Sequence, residues 1–358
     1  MSAGTPPGVT APGAAEGPAA TPGTDAGAAP PAVDGPLIVV MNAASGARDA
    51  ASVRDRIAQR LTQAGRTHEI ELVTKRGTIG RVAADAVRRA VARRGVVVAV
   101  GGDGTLNAVA QAALAAGCAF GVLPQGTFNY FGRTHAISQE VDEALDVLLA
   151  GRPQPVQVGR IADAHRERVF LVNASLGLYP QLLEDRETYK ARFGRRRWVA
   201  LWSALVTLMR EHRQLALRIA WCAGPGEASA PAGAERLLRT PTLFVGNNRL
   251  QLEQLGIAQA EALAQGRLVA LALKPVGTRA MLGLLLRGAL GRLGEAEEVL
   301  AVALTGMTVR HAARYGPRRV KVATDGEVAW MQAPLHFGVA PKPLWLIKAA
   351  PDAEGARG

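Results

Sequence analysis

The run Val96-Val-Val-Ala-Val-Gly101-Gly102-Asp103-Gly104-Thr105-Leu106-Asn107 joins an apolar, β-branched stretch to three glycines that surround one carboxylate. Glycines at the end of a strand let the main chain approach a ligand closely and take positive φ. A helix that follows offers free N–H groups, which favour an anion and most often phosphate. The turn itself does not need Asp103. A carboxylate beside phosphates repels them unless a metal ion or a cationic group mediates, so Asp103 points to Mg²⁺ or to catalytic geometry. A Gly-rich turn with a surface Asp is the plainer alternative.

Two more strand ends repeat this logic. In Gly121-Val-Leu-Pro124-Gln125-Gly126-Thr127-Phe128-Asn129-Tyr130-Phe131-Gly132-Arg133, Pro and Gly turn the chain while Thr127 and Asn129 supply polar groups. Alone this is ordinary turn chemistry; beside the first loop it makes a phosphate cleft. Met41-Asn42-Ala43-Ala44-Ser45-Gly46 fits the same edge. Far along the chain, Val322-Ala-Thr-Asp325-Gly326-Glu327-Val328-Ala-Trp330 reads as a hairpin turning on Asp-Gly. By itself it is common turn chemistry with a solvated Glu. The six histidines are scattered without metal spacing or a nucleophile partner, and Cys118 and Cys222 support neither a disulfide framework nor a zinc site.

Together these runs resemble the catalytic domain of the diacylglycerol kinase and sphingosine kinase family, particularly its soluble bacterial lipid kinases. That family carries Asn-Pro-x-Ser-Gly, Gly-Gly-Asp-Gly-Thr, Gly-Thr-x-Asn-Asp-Phe-Ala-Arg and a late Asp-Gly-Glu. The counterparts here are Asn42–Gly46, Gly101–Thr105, Gly126–Arg133 and Asp325-Gly326-Glu327. The glycine–aspartate motif is shared with NAD kinases and phosphofructokinases, and the combination with the other two runs is what points to lipid kinases. The resemblance spans residues 37–348. It implies an α/β, Rossmann-like nucleotide domain followed by a β-sandwich, with the last strands returning to the first domain. It also implies an ATP site lined by Asn42, Ser45, Gly46, Thr74, Gly101, Gly102, Asp103, Gly104, Thr105, Leu106 and Asn107, with Gly126, Thr127 and Asn129 nearby. Glu327 becomes the candidate general base for a lipid hydroxyl, Asp325 its orienting or metal-linked support, and Asp103 the rival base.

The implied cofactors are ATP and the Mg²⁺ that travels with it, and the implied reaction belongs to lipid metabolism. Three departures stand out: Tyr130 follows Asn129 where the family usually has Asp, Ala43 replaces Pro, and Gln265-Gly266 stands where the family often has an Asp-Gly that helps to hold a structural Mg²⁺. No metal ligand is therefore named. The rival readings are an NAD kinase-like enzyme with a soluble substrate and a nucleotide- or lipid-binding protein without turnover.

The elements that must position these groups follow from periodicity. Residues 1–35 hold Ala, Pro, Gly and Thr with three acids and no Lys or Arg, and read as a disordered leader; 351–358 read as a disordered tail. Strand–helix alternation from Leu37 to Leu149 implies a parallel sheet covered on both faces, with Ser138 capping the last helix. From Pro155 to Val339 nine strand-like segments recur with two helices, Trp198–His212 and Thr278–Leu293, and a Gly/Ala/Pro-rich loop at Gly224–Gly233. The expected division is an α/β ATP-binding domain at 36–154 plus about 340–350, and a β-sandwich lipid-substrate domain at 155–339.

The 358 residues carry a formal charge of +12, almost all of it arginine. Such a balance suits anionic partners or reflects compositional bias. No apolar run is long enough to span a bilayer and no secretory signal is visible, so a cytoplasmic protein, at most peripheral at the inner membrane face, is expected. Arg186–Trp198 mixes arginine with aromatics ahead of an apolar helical face, which suits an acidic bilayer surface or, as the plainer reading, a core-facing helix with a solvated Arg cluster. The expected partners are ATP and a lipid substrate at a membrane surface; nucleic acid is not among them, and a homodimer is left open.

Overall fold

A computed structural model describes residues 29–43, 47–75, 77–126, 128–177, 214–223, 235–312 and 319–350. Within them the chain is α/β: one largely parallel sheet wrapped by helices, followed by two antiparallel sheets packed face to face. The parallel sheet contains β1 (Leu37–Asn42), β2 (His68–Val73), β3 (Val96–Gly101), β4 (Ala119–Pro124), β5 (Arg152–Val156) and β18 (Leu344–Lys348), in the order β2-β1-β3-β4-β18-β5. All pairs are parallel except β18 with β5. Every residue of β3 and β4 is buried, as a strand covered on both faces demands. The covering helices are α1 (Ala47–Gln63), α2 (Ile79–Ala92), α3 (Asp103–Ala116), the short α4 (Tyr130–Thr134) and α5 (Val141–Ala150). In α2, Ala83, Ala86, Val87 and Ala90 face inward at helical spacing. Ser138 does not cap α5: its hydroxyl accepts the Glu140 N–H, and Glu140 is the residue that precedes the helix.

The second sheet runs β10 (Arg236–Thr240), β9 (Leu215–Cys222), β14 (Gly306–His311), β17 (Leu335–Val339), β6 (Gly159–Ala162), β7 (Glu167–Phe170). The third runs β13 (Val299–Leu304), β12 (Leu268–Leu273), β11 (Thr242–Gly246), β8 (Asn173–Gly177), β15 (Arg319–Thr324), β16 (Glu327–Gln332). Ile161, Phe170, Ile219 and Phe337 of one sheet share a core with Leu176, Val245, Val322 and Met331 of the other, which makes the pair a sandwich.

Three expected strands are split, each where the chain changes sheet. Pro155–Ile161 becomes β5, which joins the parallel sheet, and β6, which starts the sandwich. Leu237–Val245 breaks at Pro241, which has no N–H for a ladder, into β10 and β11 of opposite sheets. Val169–Ala174 breaks at Leu171–Val172, whose N–H groups turn to a side chain instead of a neighbouring strand. The expected helix at Trp198–His212, the basic–aromatic run before it, most of the leader, the tail and the Gly224–Gly233 loop lie outside the described residues. Among the described residues no helix is long and apolar enough to cross a membrane.

His135 closes α4 with its ring edge-on to Phe131 at 4.8 Å between centroids. Burial, with Lys348 adding repulsion, pushes its pKa down to about 4. Between pH 6.5 and 4 the unfolded chain therefore takes up a proton that the folded chain refuses, and stability falls as the pH drops through that window. The effect amounts to about 2 kcal/mol between pH 7.5 and pH 5. His135→Gln should flatten this part of the acid slope in denaturant titrations at the two pH values. An unchanged difference between them would contradict the assignment.

Candidate active site

The carboxyl ends of β1, β3 and β4 meet at one edge, and their sequences dictate how closely they do so. A Cβ on Gly101 would stand 2.7 Å from the Thr105 side chain, so only glycine fits there. Thr105 in turn accepts a hydrogen bond from Asn42 Nδ2 at 3.0 Å, tying the end of β1 to the first turn of α3. A Cβ on Gly126 would lie 2.8 Å from the Gly102 Cα and 2.7 Å from Asn129 Oδ1, so the two loops touch main chain to main chain. The Gln125 N–H donates to the Gly101 carbonyl at 2.9 Å, and Asn129 folds back on Gly126, accepting its N–H and donating to its carbonyl, both at 2.8 Å. Asn129 does this at φ +48°, a conformation asparagine tolerates better than most residues.

Asp103 is the first residue of α3. Burial pushes its carboxyl up from the ordinary range, while the N–H groups of Phe131, Tyr130 and Asn129 draw it down. It thus holds the entry to α4 against α3. Among the described residues its Oδ1 is buried without a hydrogen-bond partner. Leu106 is wholly buried in the core and offers a ligand nothing but its main chain. Thr74 stands exposed just past the edge strand β2, which β1 separates from β3 and its glycine loop. Ser45, Gly46 and Thr127 lie outside the described residues. Tyr130, in the place of the expected Asp, stacks on the exposed Phe128, with rings 5.8 Å apart and 4° from parallel.

The sandwich delivers two carboxylates to this edge. Glu327, at the start of β16, is exposed, and its Oε1 lies 3.1 Å from where a Cβ on Gly104 would be. Residues over two hundred positions apart in the chain are therefore neighbours at the N-terminal turn of α3. Asp325 is different. Buried at φ +48°, it accepts N–H groups from Leu171 at 2.6 Å and from Val172 and Asn173 at 2.9 Å, and the Asn107 side-chain amide at 2.7 Å. Both oxygens are committed, and the carboxylate clamps α3 to the β7–β8 junction. Burial pushes its pKa up to about 6, against the pull of these donors. Asp325→Ala strands three main-chain N–H groups in the interior. The expected loss is about 3–5 kcal/mol of stability, read as a lowered midpoint in denaturant titration. A loss under about 1 kcal/mol would mean that the clamp is not needed.

Among the residues that bind the layers together, Gln111 and Asn248 carried no sequence signal, and Asn107, expected along the ATP site, turns its side chain to the sandwich instead. Asn107 also donates to the Val169 carbonyl and Gln111 accepts the Val169 N–H, so one face of α3 grips β7. Asn248 donates to the Tyr130 carbonyl, accepts from Thr134 Oγ1 and caps the helix Arg249–Gln254, joining the sandwich to α4. These are ordinary amides whose partners lie far away in sequence.

At Gln265, the position of the auxiliary Mg²⁺ site implied by the resemblance, the side-chain oxygen accepts from the Arg267 guanidinium, which also reaches the Ala223 carbonyl. A cation there does not fit a second cation, and Gln265 brings no charge. Among the described residues no group of three or more His, Cys, Asp or Glu is placed to hold a metal.

Residues 36–161 match the family described as diacylglycerol kinase catalytic domain. A "Probable lipid kinase YegS-like" from Klebsiella pneumoniae (strain 342) is 35% identical over 102 residues, which cover 27% of this chain and 33% of that protein. A protein of the same description from Cronobacter sakazakii (strain ATCC BAA-894) is 30% identical over 141 residues, covering 37% and 44%. The matched stretch thus spans less than half the length of these curated relatives. A solved diacylglycerol kinase from Bacillus anthracis str. Sterne shares the fold, with TM-score 0.59 and 16% identity over 88% of this chain and 97% of the other. The family match thus covers residues 36–161, about a third of the chain, and holds the parallel-sheet layer, β18 apart, with the loops at Gly101 and Gly126.

Proposed function

We propose that the protein is an ATP-dependent lipid kinase that transfers the γ-phosphoryl group of ATP to the hydroxyl of a diacylglycerol-like or sphingoid lipid. The observation that carries this reading is the meeting of Glu327 with Gly104: a sandwich carboxylate stands at the first turn of the helix that follows the glycine loop. The family match and the lipid kinase descriptions of the relatives support the same conclusion.

In this reading the main chain at Gly101–Gly104 and Gly126 approaches the phosphates, and the N-terminus of α3 favours their charge. Asn42 and Thr105 hold the loop in shape. The lipid oxygen attacks the γ-phosphorus, the bond to the ADP oxygen breaks, and Glu327 accepts the hydroxyl proton. Asp325 takes no proton in the reaction; it fixes the turn that aims Glu327. Mg²⁺ suits Asp103, a hard oxygen donor with one unpartnered buried atom, and would neutralise charge on the phosphates. With its acceptor in a bilayer, the protein works at the inner membrane face from the cytoplasm.

The test is to incubate the protein with ATP, Mg²⁺ and mixed micelles holding diacylglycerol or a sphingoid base, and to weigh the lipid products. A mass gain of one phosphate that requires ATP supports the reading. Its absence from both lipid classes, with phosphate appearing on NAD instead, would move the protein to the soluble-substrate kinases.

A further inference from the structure

Arg168 lies on β7, the edge strand of its sheet. It pairs with Ile161, which belongs to the sandwich core, so Arg168 shares that inner face. The facing edge is β16. There Val320 pairs with the fully buried Met331, and Glu327, four residues earlier, falls on the same inner side by strand alternation. Farther along, the edges are fastened together: Arg166 donates to the Trp330 carbonyl, and Asp163 accepts the Gln332 N–H at 2.7 Å. The neighbour of Arg168, Val169, is held at both its N–H and its carbonyl by Gln111 and Asn107 of α3. The fold thus fixes Arg168 relative to the helix whose first turn meets Glu327.

The charge of Arg168 is poorly accommodated as it stands. Burial pushes the pKa of its half-buried guanidinium down, and the pull of Glu327 and Asp325 restores only part of the loss. Among the described residues it makes no hydrogen bond and no ion pair. Asp325 is saturated by its four N–H donors. A guanidinium offers five donors in a rigid fork that matches phosphate oxygens. A desolvated cation without a partner is costly, and the arrangement is relieved when an anion enters.

We infer that Arg168 binds the terminal phosphate of the nucleotide, a cation that the sandwich edge contributes to the glycine loop of the first layer. The inference rests on the phosphotransfer reading and adds a ligand to it. Such a contact would separate ATP from ADP, because only ATP carries the terminal group. Charge-assisted hydrogen bonds contribute about 1.5–3 kcal/mol, which corresponds to roughly 10–150-fold in affinity.

The experiment is calorimetric titration of the full chain with Mg·ATP and with Mg·ADP, for the parent, Arg168→Met and Arg168→Lys. Arg168→Met should weaken ATP by roughly 10–150-fold while ADP stays within about threefold, and Arg168→Lys should recover part of the loss. Equal weakening of both nucleotides would mean a structural role and overturn the inference, as would unchanged ATP affinity in the Met variant. A merely structural residue has no reason to distinguish ATP from ADP. Arg168→Gln gives the same contrast if the Met variant does not fold. A parent that binds neither nucleotide would sink the kinase reading and this inference with it. A parent that binds both, with an unaltered Met variant, would sink the inference alone.

Discussion

Asp103→Asn is expected to bring turnover down to background, a loss of at least about 10²–10³-fold, while the thermal transition stays cooperative. The size follows from two functions that one carboxylate performs. One is to hold the N–H groups of Asn129, Tyr130 and Phe131 at the entry to α4, which keeps the Gly126 loop against Gly102. The other, in the proposed reaction, falls to Oδ1, which is buried without a partner among the described residues and would be available to a nucleotide-borne Mg²⁺. Asparagine is isosteric, but its amide can satisfy only one of the two. With the NH₂ toward the loop, donor meets donor; with the NH₂ at the Oδ1 position, a donor faces the cation. Steady-state kinetics with lipid and ATP checks this, and a variant with near-normal kcat would remove Asp103 from the mechanism.

Glu327→Gln should lower kcat by about 10²–10⁴-fold, the range of a general base, with ATP affinity changed by less than about threefold. The substitution keeps size and hydrogen bonding but cannot accept a proton at neutral pH. Glu327 is exposed at the mouth of the sandwich, so the fold does not depend on it. The proposed nucleotide contacts come from the parallel-sheet loops and from Arg168, none of them from Glu327, which is why affinity should survive. Measuring kcat and ATP Kd together separates the outcomes. A kcat loss below about threefold would shift the base role to Asp103 or to the substrate. A large rise in Kd would mean that Glu327 binds nucleotide instead of accepting a proton.

The loops at Gly101 and Gly126 were legible because their signals are local. Val96–Val100 is an unbroken apolar run that only a doubly covered strand accommodates, and the glycines follow at once. The split strands were not legible. Val156 to Gly159 and Thr240 to Thr242 pass from sheet to sheet with little change in composition, and periodicity is blind to which sheet an apolar residue faces. Asp325 reads as a turn residue, and its turn is real. Its four donors lie more than 150 residues away or on another layer, so the clamp depends on tertiary placement alone. Arg168 was hidden for the same reason: one arginine among 36 acquires meaning only when the β16 edge stands opposite it.

The proposed reaction is phosphoryl transfer from ATP to lipid, with a carboxylate that the sandwich brings to the glycine loop as the base. The most direct measurement follows γ-labelled ATP with a bacterial lipid extract, for the parent and Glu327→Gln side by side, counting label in the organic phase. ATP-dependent label on a lipid is expected with the parent, and a loss of about 10²–10⁴-fold in its rate of appearance with the variant. Label that stays entirely in the aqueous phase with the parent, under conditions where ATP binds, would contradict it.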